Sequence, residues 1–151
     1  MRKVGSVIIA ALVVVAIGLA GTAGAAQGGP LSKPDYIAAA DNICRQANQL
    51  REEAASTAFA DVAAGGQPTD DQTTNYVANI EPINSQQLDS LRALPAPKSD
   101  KKLLKKIYKL VEKAFDAISA DPTVLSSGSN VFAKADKAAQ KYGFKVCGSS
   151  G

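Results

Sequence analysis

Apolar positions recur at helical spacing in four stretches of this chain. In the first, Ile37, Ala40, Cys44, Ala47, Ala54 and Ala58 share one stripe, joined by Tyr36, Ile43 and Leu50. Ser32 is placed to cap this helix, with Pro34 in its first turn, where a missing N–H costs nothing. Gly65-Gly66 ends it, and residues 67–69 read as a loop. Asp70 or Asp71 can cap the second helix, whose apolar face carries Tyr76, Val77, Ile80, Ile83, Leu88, Leu91 and Leu94. Pro82 falls inside it and predicts a kink, because proline removes one hydrogen bond and crowds the preceding turn. Pro95-Ala96-Pro97 is a stop and a stiff turn.

The third stretch is the most amphipathic. Ser99 or Asp100 caps it. Leu103, Leu104, Ile107, Leu110, Val111, Ala114, Phe115 and Ile118 fill one arc, and Lys101, Lys102, Lys105, Lys106, Lys109 and Lys113 fill the other. After a connection containing Asp121-Pro122 and Ser126-Ser127-Gly128-Ser129, a short fourth helix is expected over about 130–142. It would bury Val131, Phe132, Ala135 and Ala139, with Gly143 as its C-cap. Short connections favour antiparallel neighbours, so the pattern predicts an all-α, up-down-up-down four-helix bundle. In that arrangement the tail after Gly143 can reach Cys44 from Cys147.

The N-terminus reads as a secretory signal. Arg2 and Lys3 precede an uncharged apolar run over 4–20, and Ala23-Gly24-Ala25 offers small residues for cleavage before Ala26. The rival is an uncleaved anchor, since 4–26 spans 23 residues and a membrane helix needs roughly 20. Leu19-Ala20-Gly21-Thr22 matches a lipobox with Thr22 in place of the cysteine that carries lipid, so a lipoprotein is not expected. The expected division is a signal peptide over 1–25, a linker over 26–33, the bundle over 34–148 and a tail over 149–151.

Beyond the signal, 15 basic residues meet 14 acidic ones, a net charge near +1 that gives no argument for nucleic acid. Abundant alanine, four tyrosines, four phenylalanines and no tryptophan suit close helix packing. The two cysteines allow one intramolecular pairing, and export places them in an oxidising compartment. A disulfide closing 103 residues would stabilise by about 4–5 kcal/mol on a chain-entropy view. Intermolecular pairing and redox chemistry are the alternatives, with no C-x-x-C motif to favour the latter.

The segment Tyr36-Ile37-Ala38-Ala39-Ala40-Asp41-Asn42-Ile43-Cys44-Arg45-Gln46-Ala47-Asn48 resembles the opening of small exported two-cysteine helical proteins of actinobacteria. Tyr142-Gly143-Phe144-Lys145-Val146-Cys147-Gly148 resembles their close. Residues 91–97 and Asp100 resemble the leucine–proline turn that precedes a charged helix in that family. The resemblance implies a helical fold and export, and no activity. Many members carry the lipobox cysteine, from which Thr22 departs.

Two candidate sites follow. The lysine face, with Lys102, Lys105, Lys106, Lys109 and Lys113 as binding residues, could meet anionic envelope polymer or a membrane surface. The plain alternative is a solvated face over a packed core. Arg51 falls within the apolar arc of the first helix, and Asn84 and Gln87 within that of the second, just after Pro82. These three could line a pocket for a small molecule or lipid. Alternatively Arg51 snorkels at the edge, and the amides satisfy backbone freed by the proline. Catalysis is disfavoured: the chain has no histidine, hence no imidazole base or metal ligand. Ser99-x-x-Lys102 lacks the companion motifs of penicillin-recognising enzymes. No cofactor is expected, and a non-catalytic monomer with an envelope interaction role is the reading.

Overall fold

Ser32 starts the first helix as its residue type dictates. In the computed structural model, which describes residues 29–149, the Ser32 Oγ accepts the Asp35 N–H at 3.3 Å, and Pro34 sits in the first turn of α1 (Lys33–Ala58). The signal segment over 1–25 and the Thr22 lipobox position lie outside the described residues. Helix α1 ends at Phe59, earlier than Gly65-Gly66 suggested. The Phe59 ring lies 5.1 Å from that of Tyr76, which closes the turn between α1 and α2.

Helix α2 (Asp70–Ala93) is capped by Thr69, not by either aspartate. Thr69 Oγ1 accepts the Gln72 N–H at 3.2 Å, and Gln72 Oε1 accepts the Thr69 N–H at 2.9 Å. This capping box satisfies two donors reciprocally and leaves Asp70 and Asp71 in the first turn, facing the positive end of the helix dipole. Pro82 sits inside α2, which continues past it as helix to Ala93.

Helix α3 (Lys101–Ala120) begins after Asp100, whose carboxylate makes no backbone cap. It instead accepts the Tyr142 hydroxyl at 2.9 Å and the Ser99 hydroxyl at 2.8 Å. A 3₁₀ turn (Pro122–Leu125) lies in the connection read as irregular from the sequence. Helix α4 (Ala133–Tyr142) starts three residues later than expected and ends at Gly143, whose φ of 119° favours glycine. Among the described residues there are four α-helices, one 3₁₀ turn and no strand.

The core draws on every helix: Tyr36, Ala40 and Cys44 from α1, Leu88 and Leu91 from α2, Leu104, Ile107 and Tyr108 from α3, Ala139 and Tyr142 from α4. Ala40 and Ala139 are fully buried, and their small size lets backbones approach. Each buried leucine or isoleucine contributes about 1.5–3 kcal/mol. The expected apolar arc of α3 needs rotating. Leu103 is 47 % exposed while Tyr108 is buried, so the core-facing direction lies toward Leu104, Tyr108 and Val111. Leu50, placed on the stripe of α1, is likewise exposed. It stands about 120° around the helix from Cys44.

The C-terminal tail closes on α1. Cys44 and Cys147 are disulfide-bonded. One turn before Cys44, the buried Asp41 carboxylate accepts N–H groups from Lys145 (3.0 Å), Val146 (2.9 Å) and Cys147 (3.1 Å). Three backbone donors thus solvate a charge removed from water. Asp41→Asn replaces an acceptor oxygen with a donor amide and should cost about 2–3 kcal/mol with the disulfide intact. Urea denaturation of the oxidised protein checks this, and an unchanged midpoint would remove Asp41 from the account.

Candidate functional site

Arg51 is the residue whose position is hardest to explain by packing. Counting at 100° per residue, it lies about 20° from the direction of Cys44, near the centre of the buried stripe of α1. Its guanidinium therefore enters the space between α1 and α2. There Nη1 donates to Asn84 Oδ1 at 2.9 Å and to Gln87 Oε1 at 2.8 Å, while Nη2 donates to Asn48 Oδ1 at 2.6 Å. Asn84 and Gln87 are both buried on α2. Their side-chain oxygens accept from the cation, and the Gln87 NH₂, a group that could have served the carbonyl freed by Pro82, donates to Cys44 Sγ instead. Arg51, Asn84 and Gln87 thus form one cluster.

That cluster lines a cavity of about 630 Å³. Apolar walls come from Ile80 on α2, Ile107, Val111, Phe115 and Ile118 on α3, and Phe132 at the start of α4. Phe115 and Phe132 meet edge to face at 5.5 Å. The floor includes Cys44, Val146 and Cys147, so the tail held by Asp41 also closes the cavity. Gln87 Nε2 donates to Cys44 Sγ at 3.1 Å, joining the polar cluster to the disulfide.

Burial lowers the pKa of Arg51, and the nearby Tyr76, once ionised, acts the other way. Burial raises Tyr76, and the Arg51 cation partly offsets this. Tyr76 and Asn48 were not singled out as site residues from the sequence, and the Cys44–Cys147 disulfide was expected as a staple and not as part of a cavity wall. Asn48 lies three residues before Arg51 on one helix face, a spacing that could have flagged it.

A second hollow of about 600 Å³ opens on the other side of the core. Lys101, Lys105 and Lys109 line it, together with Tyr36, Tyr108 and Pro95. The Leu31 N–H donates to the Pro95 carbonyl at 2.8 Å, which pins the incoming chain at its edge. Lys102, Lys105, Lys106, Lys109 and Lys113 are all exposed along α3, separate from the Arg51 cavity.

Beneath this hollow the Tyr36 and Tyr108 hydroxyls hydrogen-bond to each other. Burial raises Tyr36, with the bond from Tyr108 acting the other way. It raises Tyr108 further, aided by the bond to Tyr36. Tyr142 is raised by burial and by its bond to Asp100. Asp100 is lowered by its bonds from Ser99 and Tyr142.

Among the described residues no helix is long and apolar enough to cross a membrane, and no cluster of His, Cys, Asp or Glu could hold a metal ion. No protein-family model, curated protein or solved structure matches this chain.

The four tyrosines give a test in solution. All are raised from the ordinary value near 10, so the folded state favours neutral phenols. Their contribution to stability is complete below about pH 10 and is lost as the pH rises beyond it. Tyrosinate absorption should appear together with loss of helicity in an alkaline titration. Full ionisation near pH 10 with the helices intact would contradict the buried network.

Proposed function

We propose that this chain is an exported, non-catalytic helical protein that binds a small, largely apolar molecule in the cavity between α1, α2 and α3. The observation that carries the reading is a half-buried guanidinium, held by three amides, that lines an apolar-walled space of about 630 Å³. Ligand pockets run to about 300–1,000 Å³ and pair apolar walls with a few convergent polar groups. A packed bundle has no need of such a space, and half-burying a cation beside it opposes stability. Export rests on the signal pattern over 1–25, and the Cys44–Cys147 disulfide is compatible with it. The resemblance to exported actinobacterial proteins points the same way. The absence of histidine from the sequence supports a non-catalytic role. The up-down-up-down order rests on the short connections and on the packing of α1 on α2, α2 on α3 and α3 on α4.

An uncharged apolar dye tests the cavity. Nile red should bind the oxidised protein saturably, near one per chain, with a rise in emission. Ala55→Trp, which adds an indole at the cavity wall, should weaken binding more than about tenfold while the variant still melts cooperatively. No saturable binding to the wild type, or full binding to a folded Ala55→Trp, would contradict the reading.

A second reading is favoured by a separate observation. Six lysines along α3 are exposed, and Lys101, Lys105 and Lys109 converge on the second hollow, where the chain arrives from the N-terminal segment. This face would hold the protein against anionic envelope polymer or phospholipid. Phosphatidylglycerol vesicles should bind it at low salt and release it by about 150 mM, where screening falls to about 8 Å. Replacing Lys102, Lys106 and Lys109 together by glutamate should abolish the binding. Salt-insensitive binding would rule out the electrostatic origin.

A further inference from the structure

We infer that the occupant of the Arg51 cavity is a monoanionic amphiphile: a carboxylate head taken by Arg51, with an apolar body running along α3. The inference rests on the cavity reading above and adds the charge, the end and the orientation of the ligand.

A guanidinium has five N–H groups. Asn48, Asn84 and Gln87 take three of them. Two remain, enough for a two-point contact with one carboxylate. All three protein partners are neutral amides, so they orient the cation without cancelling its charge.

Each of the three amides also carries an NH₂ group. Their oxygens face Arg51, because that group can only donate. Each therefore turns its NH₂ elsewhere. That of Gln87 goes to Cys44 Sγ. Those of Asn48 and Asn84 belong to residues that also line the cavity. Tyr76 lines it too, and burial keeps its phenol neutral at pH 7. A cation held only by neutral groups selects an acceptor with negative charge.

Arg51 is the only basic residue among those lining this cavity, and Glu52 and Asp136 also line it. One cation, with two carboxylates in the same lining, can meet at most a single negative charge and disfavours a nucleotide or another polyanion. The lysines that could serve a polyanion line the other hollow. The rest of the wall, from Ile107 and Val111 to Phe115, Ile118 and Phe132, offers no charge. It suits an alkyl or alicyclic body.

Three probes of equal chain length separate the parts of this claim: dodecanoate, 1-dodecanol and dodecylamine, each titrated into the delipidated, oxidised full chain at pH 7 and read by calorimetry. Dodecanoate should bind at least about tenfold more tightly than the alcohol, the gain expected of a charge-assisted pair in a partly dry site, and the amine should bind weakest. Arg51→Gln should erase the preference for dodecanoate and leave dodecanol within about threefold of wild type. Asn84→Leu, which leaves the cation in place but unbraced, should narrow the preference without erasing it. Equal binding of acid and alcohol to the wild type would overturn the anion inference and leave the cavity reading standing. Binding of none of the three would overturn both.

Discussion

The attachment of the C-terminal tail to α1 is the constraint on which the rest depends. Asp41 and Cys44 stand one turn apart on the same helix and grip the same stretch of chain. One does so through three backbone N–H groups, the other through a covalent bond. The disulfide acts mainly by restricting the unfolded chain, whereas the carboxylate acts in the folded state by fixing where each tail amide points. Their combined effect is positional. Phe144, Val146 and Cys147 are carried onto α1, where Phe144 packs with Tyr36 and Tyr142, and the tail becomes one boundary of the cavity.

The cavity holds the opposite kind of feature, one that stability alone would not select. Arg51 points inward near the centre of a buried stripe, and three amides turn their oxygens to it. Replacing such a cluster with apolar side chains of similar volume is often neutral or stabilising. Its presence beside apolar walls is the physical ground for reading it as a binding site. The lysine face of α3 is the more conspicuous feature in the sequence. Its charges are solvated, however, and a solvated charge offers little to hold a ligand against water.

Much of the fold was legible because its causes are local. Helical spacing placed all four helices, Ser32 and Gly143 fixed two of their ends, and the cysteine positions gave the closure. What was missed depends on partners distant in sequence. Asp41 reads as a surface aspartate until residues 145–147 fold over it. Thr69 outcompeted two aspartates as a cap because Gln72 completes a reciprocal pair. Tyr108 was left out of the apolar arc of α3 because its burial depends on the Tyr36 hydroxyl, 72 positions away. Leu103 was assigned to the core on spacing alone, yet it lies at the edge of an arc that no helix covers there. The Arg51, Asn84 and Gln87 cluster was visible as polar residues on apolar faces. Its hydrogen bonds to one another required the two helices to be side by side.

The most direct measurement is a crystal structure of the oxidised protein grown with dodecanoate. The account predicts density for one carboxylate within about 3.2 Å of the Arg51 guanidinium, with the alkyl chain lying between Ile107 and Phe115. A filled interior between α1 and α3, with Arg51 turned out to bulk water, would contradict it.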